Sequence, residues 1–294
     1  MMNELEKRTA ELLFGAYDLH IHAAPSPFGR LMDDYSLLQQ AGKAGMAGIL
    51  IKSHYESTAA RAELANRHAN SPATAYGAIA LNWPVGGLNP AAVHNALIRG
   101  ARIVYMPTRD AANSLVSGNM PGDFFDRPGI SITDERGRLK DVVYDIFDLV
   151  RQYDAALATG HISPAETMLL CREGRARNVR MLLTHPEFSR TVIPVEQQRE
   201  LADLGVIIEH CWYNLAANEC TAEEMAEHIR AVGPERCYLS TDRGQADREC
   251  PVQAMRLFVD ALMQQGLPRA SIREMLVHVP ERVLGLEEIG KAAG

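Results

Sequence analysis

The chain has no Cys-x-x-Cys pair, no long apolar run, no basic stretch and no Gly-x-Gly-x-x-Gly after its first strand-like segment. Each absence removes a class of function. The five cysteines, Cys171, Cys211, Cys220, Cys237 and Cys250, are odd in number and scattered, which argues against a disulfide framework and a thiolate zinc site and fits reduced thiols. No apolar run approaches the length needed to cross a bilayer. The start, Met1-Met2-Asn3-Glu4-Leu5-Glu6-Lys7-Arg8, is charged and lacks a signal-peptide core, so a cytoplasmic location and no membrane partner are expected. The formal net charge is −7, and without a basic stretch no nucleic-acid partner is expected. The missing glycine fingerprint argues against a dinucleotide fold.

What is present is an alternation. With 294 residues, 47% of them apolar, the chain can build a sizeable core. No boundary or repeat divides it, so one domain over 1–294 is expected. Short β-rich runs at Ala16–His22, Gly48–His54, Thr74–Leu81, Ala101–Met106, Ala155–His161, Arg180–His185, Gly205–Cys211 and Arg236–Thr241 are predicted as strands. Several are continuously apolar, as parallel strands covered on both faces should be. Helices are predicted at Asp33–Ala44, Thr58–Ala69, Pro90–Arg99, Lys140–Tyr153, Pro164–Arg177, Pro194–Leu204, Ala222–Val232 and Pro251–Gln265, several opening on proline. Thr221 with Glu224 reads as a capping box. Eight strand–helix units point to an α/β fold, a (β/α)8 TIM barrel, with a doubly wound open sheet as the runner-up. Asn3–Phe14 is expected to form a helix closing the bottom of the barrel, and the segment from Pro268 onward to form two short helices.

The fourth strand and its helix are separated by the long connection 107–139, read as a lid-like insertion or part of the substrate pocket. Ile130 to Leu139 resembles a small hairpin around Asp134-Glu135-Arg136-Gly137.

Polar residues gather at predicted strand ends. Asp18-Leu19-His20-Ile21-His22 puts two imidazoles two apart on one strand, hence on one face. Lys52 and His54 end the second strand, His161 the fifth, His185 the sixth and Asp242 the eighth, while His210 falls within the seventh. Strand ends of a barrel meet on one rim, so these groups converge despite their sequence separation. Imidazoles and a carboxylate around one cavity suit a divalent cation. By contrast His68, His94, His228 and His278 lie on helices or the tail, where solvated or capping roles suffice.

This constellation resembles the amidohydrolase superfamily, whose members share a distorted (β/α)8 barrel with His-x-His on the first strand, His on the fifth and sixth, and Asp on the eighth. The matching residues are His20, His22, His161, His185 and Asp242. Val279-Pro280-Glu281-Arg282-Val283-Leu284-Gly285-Leu286 is also similar to the Asn-Pro-Ala-x-x-Leu-Gly-Leu close of these barrels. The resemblance implies a metal-dependent hydrolase acting on an ester, lactone, amide or related bond of a small molecule. It implies one or two divalent ions, zinc by default, with manganese, iron or nickel also suited to imidazole–carboxylate sites. Asp242 would take a proton from the attacking water, and His185 would hold a second ion or orient the water.

The fourth strand departs from the family. Binuclear members carry a bridging lysine carbamate or glutamate there, and Ala101-Arg102-Ile103-Val104-Tyr105-Met106 has neither. Either the site is mononuclear, or a carbamylated Lys52 with His54 bridges two ions from the second strand. An unmodified Lys52 could instead steady an anionic substrate. Asp18 and Glu187 are candidates for fixing the imidazole tautomers. Asn82, Tyr105, Arg109, Trp212 and Arg243 are expected to contact substrate, with Trp83 and Asn214 nearby; the two arginines suit a carboxylate or phosphate. Nonoxidative decarboxylation of a small carboxylic acid and a non-catalytic metal-binding barrel are the alternatives, and homo-oligomerisation is left open.

Overall fold

The computed structural model describes residues 4–117 and 127–286. Eight strands form one sheet in sequential order: β1 (Tyr17–Ile21), β2 (Gly48–Ile51), β3 (Thr74–Ala80), β4 (Ala101–Tyr105), β5 (Ala156–Ala158), β6 (Arg180–Leu183), β7 (Ile207–Cys211) and β8 (Cys237–Ser240). Every neighbouring pair is parallel. The predicted TIM barrel is the observed fold, with the helices in the expected places. The strands are shorter than expected because they stop where the chain turns outward, leaving the polar residues just beyond them.

The sheet closes between β8 and β1 through loop residues. Asp242 N–H donates to the His20 carbonyl at 2.9 Å, and His22 N–H donates to the Arg243 carbonyl at 2.8 Å. The Asp18 carboxylate supplies two more bonds, accepting from the Thr241 N–H and from its hydroxyl at 3.1 and 2.6 Å.

Alternation decides what enters the barrel. Leu50, Ile103, Tyr105, Ala156, Ala158, Leu182 and Tyr238 fill its interior, while Ile49, Ile51, Leu157, Leu183 and Leu239 face the surrounding helices. In β1 the phase breaks: Tyr17 and Leu19 pack inside, but Ile21 packs outside. The β1–β2 register is irregular between Asp18 and Ile21. That irregularity turns His20 and His22 toward the mouth of the barrel.

The bottom is closed by the other end of the chain from the one predicted. Val279, Val283 and Leu284 of the helix Val279–Leu284 complete the interior cluster. The N-terminal helix Glu4–Leu13 instead lies outside, against the helix Pro251–Gln264, with Arg8 paired to Asp260. The two short helices expected after Pro268 are present, Arg269–Arg273 and Val279–Leu284, and follow one another without a loop. A wide turn at Glu274–His278, with Val279 N–H bonded to the Glu274 carbonyl, joins Arg269–Arg273 to Val279–Leu284. Pro280 has no N–H to bond the carbonyl four residues back, so a register slip here costs little.

The insertion after β4 is braced where it is described. Ala112 N–H bonds the Ile130 carbonyl, the hairpin closes between Asp134 and Arg138, and Glu166 accepts from Ser131 and from the Ile132 N–H. The central part of the lid-like segment, 118–126, lies outside the described residues.

Leu284 is fully buried in the plug. Leu284→Ala is expected to lower unfolding stability by about 2–5 kcal/mol, read from denaturant titration.

Candidate metal centre and its cavity

A cavity of about 320 Å³ opens at the C-terminal ends of the strands. Its wall carries His22, Lys52, His54, His161, His185 and Asp242 from the strand ends, and Phe28, Arg30, Arg109, Phe188, Tyr213 and Gln245 from the loops. Gly29 completes it.

The floor is set by two fixed tautomers. His20 Nδ1 lies 2.9 Å from Glu209 Oε1, and His22 Nδ1 lies 2.9 Å from the Lys52 carbonyl. A carboxylate and a carbonyl only accept, so each Nδ1 carries the proton and each Nε2 presents a lone pair. Both lone pairs converge on Asp242 Oδ1, at 3.3 Å from His20 and 3.0 Å from His22. Burial drives the His22 imidazole down to about 3, so it is neutral at physiological pH. Burial alone would raise the Asp242 carboxyl, but its charged surroundings, the Lys52 ammonium among them, hold it well below the usual carboxylate range. Three acceptor atoms therefore crowd together within 4.8 Å. A divalent cation satisfies such a set, and the donor chemistry fits zinc or its neighbours.

Glu209 is the anchor that the sequence reading missed. It is fully buried, accepts from His20 and from the Ser240 hydroxyl, and is held at about 2 by His20 and its hydrogen bonds, against the upward push of burial. The signal was available: β7 alternation places Glu209 two residues after Ile207 on the inward face, while His210 points outward.

Lys52 Nζ stands 2.8 Å from His20 Nε2 and 4.6 Å above the Tyr105 ring. Burial lowers its ammonium from the ordinary value, with Asp242 and Glu209 opposing. His54 stacks on His22 at 4.8 Å and meets the Thr108 hydroxyl at 2.8 Å. His161 and His185, 5.1 Å apart, lie outside the group of three. Their Nδ1 atoms are buried without hydrogen-bond partners. Burial first, then neighbouring cations, pushes His161 well below its ordinary value; burial lowers His185 to about 4. Both are neutral imidazoles with coordinating or hydrogen-bonding capacity to spare.

Backbone strain marks the same rim. His185 has φ +26° and Asp242 has φ +49°, conformations that non-glycine residues adopt at a cost. Gly244, at φ +131°, passes so close to β1 that a Cβ there would lie 1.7 Å from the His22 carbonyl oxygen.

The expected substrate contacts need correction at four positions. Asn82 is a buried brace, donating to the His54 carbonyl and Thr108 and accepting from Thr108 and Asp110 N–H. Tyr105 lies within the barrel, its hydroxyl bonded to the Leu19 carbonyl. Trp212 packs on Phe258 and bonds Glu249, and Arg243 is paired with the same Glu249 at 2.8 Å. None of the four lines the cavity, whereas Arg109 does. Trp83 and Asn214 bond Pro128 and Glu219 instead. Asp18 fastens the β8–β1 seam rather than an imidazole of the centre. Glu187 bonds His210 at 2.9 Å and His228 at 3.1 Å, away from the floor.

Glu209→Gln is expected to weaken zinc binding about 10–100-fold with the fold intact, measured by chelator competition. The Glu187 bridge predicts a pH dependence. Burial would raise this carboxyl, but His210 and His228 hold it at about 2; its bond to Glu187 raises the His228 imidazole. The carboxyl's contribution is present above its unfolded value of 4.5 and is lost toward pH 2. The imidazole's contribution is complete below 6.5 and is lost as pH rises through the folded value. Thermal melts of His228→Gln across pH should therefore lack the alkaline part of that loss.

With this geometry in place, comparison with known proteins is informative. An amidohydrolase from Pseudomonas aeruginosa superposes with a TM-score of 0.62 at 13% identity, covering 94% of this chain and 99% of that one. A probable dipeptidase from Pseudomonas aeruginosa gives 0.62 at 11%, covering 97% and 99%. A probable 2-pyrone-4,6-dicarboxylic acid hydrolase from Acinetobacter baumannii gives 0.58 at 10%, covering 92% and 100%. The (β/α)8 barrel is thus a fold that this chain shares with these proteins. No curated protein matches the sequence. The model of the family of unknown function DUF6282 matches residues 15–209, and the chain belongs to that family.

Proposed function

We infer that the chain is a metal-dependent hydrolase of small molecules, working as one barrel domain to which the 107–139 insertion lends Arg109. One observation carries this reading: the lone pairs of His20 Nε2, His22 Nε2 and Asp242 Oδ1 meet at the base of a cavity that His22 and Asp242 line, with His20 buried behind them. A divalent ion held by these three residues would supply Lewis acidity, lowering the pKa of a bound water and polarising the bond to be cleaved. Asp242, ionised at neutral pH, takes the water's proton and passes it to the leaving group. His161 and His185, neutral and with ring nitrogens to spare, orient the reacting oxygen or hold a second ion. Phe188, 5.0 Å from His185, shields that side from water. The similar barrels named above include an amidohydrolase and a probable 2-pyrone-4,6-dicarboxylic acid hydrolase, which supports this chemistry. Zinc and a cytoplasmic setting belong to the same proposal.

Lys52 enters in one of two forms. As an ammonium it donates to His20 Nε2 and steadies Asp242. As a carbamate it becomes an acceptor able to bridge two ions. Bicarbonate-dependent metal content distinguishes the two. A second reading, nonoxidative decarboxylation, is favoured by β4 ending in Tyr105 rather than in a bridging residue.

Asp242→Asn is expected to cut turnover of responsive esters, lactones, amides or phosphoesters by about 10²–10⁴-fold while the barrel still melts cooperatively. Full turnover by this variant would sink the assignment. Incorporation of labelled water supports hydrolysis, and released carbon dioxide supports the second reading.

A further inference from the structure

We propose that the cavity selects a small anion whose carboxylate or phosphate group is clamped by Arg30 and Arg109 at the mouth while its reacting bond lies over the His20–His22–Asp242 floor. This rests on the hydrolytic reading for which end reacts, but not for the clamp.

Arg30 is the starting point. Three other arginines turned into the protein are matched, Arg61 to Asp34 and Glu56, Arg243 to Glu249, and Arg256 to Thr9 and the Glu6 carbonyl, while Arg190, over the Phe188 ring, keeps one buried nitrogen without a hydrogen-bond partner. Arg30 lines the cavity, is partly buried, and makes none of the ion pairs formed among these residues. Its one hydrogen bond is a long one, 3.4 Å from Nε to the Ser26 hydroxyl. Burial lowers its guanidinium from the ordinary value; Asp242 and then Tyr55 oppose this, and Arg109 and Arg61 add to it. A guanidinium left this way in a pocket wall is costly unless an anion arrives to meet it.

The backbone beneath Arg30 is built to hold it there. Ala24 N–H bonds the Met32 carbonyl at 2.8 Å, and Leu31 N–H bonds the Gly244 carbonyl at 3.0 Å. Arg30 and Gln245 form an antiparallel bridge. Arg61 reaches across to the Ala23 and Pro25 carbonyls. The loop is therefore fastened both to the β8 end and to the helix Ala59–His68.

Arg109, four residues beyond the end of β4, meets the same loop from a different part of the chain. Its guanidinium lies 4.7 Å over the Phe28 ring and donates to the Tyr55 hydroxyl at 2.8 Å. Stacking and that bond pre-set its orientation, which lowers the ordering cost of gripping a planar anion. Among the described residues that line the cavity there are thus two guanidiniums from the loops, Arg30 and Arg109, and one carboxylate, Asp242. In a chain of net charge −7 this is a local inversion of sign, and it attracts anions. Phe28, Phe188 and Tyr213 give the walls between mouth and floor an apolar face. A compact molecule with an apolar body and one charged end matches a cavity of about 320 Å³.

The test uses protein stripped of divalent metal, so that an anion cannot bind through the ion. Titration calorimetry compares benzoate and phenyl phosphate with the neutral benzamide. At least one anion should bind, with benzamide about 10-fold weaker or worse. Arg30→Met, which keeps the apolar stem, should weaken the anion about 10–100-fold and leave benzamide unchanged. Arg30→Lys should recover part of the loss, and Arg109→Gln should reproduce it. Stronger binding of benzoate than of phenyl phosphate assigns a carboxylate; the reverse assigns a phosphate. Absence of binding by both anions, or an Arg30→Met variant that binds them as the parent does, overturns the clamp. Zinc content and water-label incorporation are followed in parallel on the parent. If zinc does not bind while benzoate does, the hydrolytic reading falls and the clamp stands.

Discussion

The structure depends on how the barrel is closed. Between β8 and β1 there is no long ladder; the seam is made by bonds from His20, His22 and Asp242 of the candidate metal centre and from their neighbours Asp18, Thr241 and Arg243. His20 accepts from Asp242 N–H, His22 donates to the Arg243 carbonyl, and Asp18 takes two bonds from Thr241. Closing the sheet and assembling the ligands are therefore one event. Gly244 shows how tight this is, since even a methyl group would collide with the His22 carbonyl. The positive φ of Asp242 follows from the same constraint: the chain must bond to β1 and turn its carboxylate inward within one residue.

Much of this was legible in the sequence because it depends on periodicity. Parallel strands buried on both faces leave continuous apolar runs, and helices announce themselves through caps such as Thr221–Glu224. Strand-end histidines are found by the same reading. What escaped depends on contacts between distant segments. Glu209 looks like an interruption of an apolar strand until His20 is placed 2.9 Å away. Trp212 and Arg243 sit beside catalytic-looking positions, yet both are taken by Glu249, six residues after Arg243 along a loop with no periodic pattern. The closing plug was misplaced for a related reason. Glu4–Leu13 and Val279–Leu284 are both amphipathic, and only the tertiary packing shows which one enters the barrel.

The cavity also explains why so many histidines are neutral. Burial lowers His22, His54, His161 and His185, and the cations add to the effect, Lys52 at all four, Arg30 at His22 and Arg109 at His54. Neutral imidazoles are the form that binds a metal ion. The positive mouth and the neutral floor thus support one another: charges that would recruit an anion also keep the ligands deprotonated. Glu209 supplies the counterweight from below, an anion walled off from the cavity and committed to His20 and Ser240.

Lys52 is where these forces meet. Its Nζ addresses the same lone pair of His20 that the floor directs toward a cation. An ammonium there and a divalent ion on His20 compete for one acceptor, so occupancy by either disfavours the other. Tyr105 beneath the lysine offers its ring face and little else, because its hydroxyl is engaged with the Leu19 carbonyl. A lysine so placed must move aside, lose its proton or become an acceptor when an ion enters. The residue that distinguishes this chain's second strand thereby sets the terms on which its first strand can bind metal.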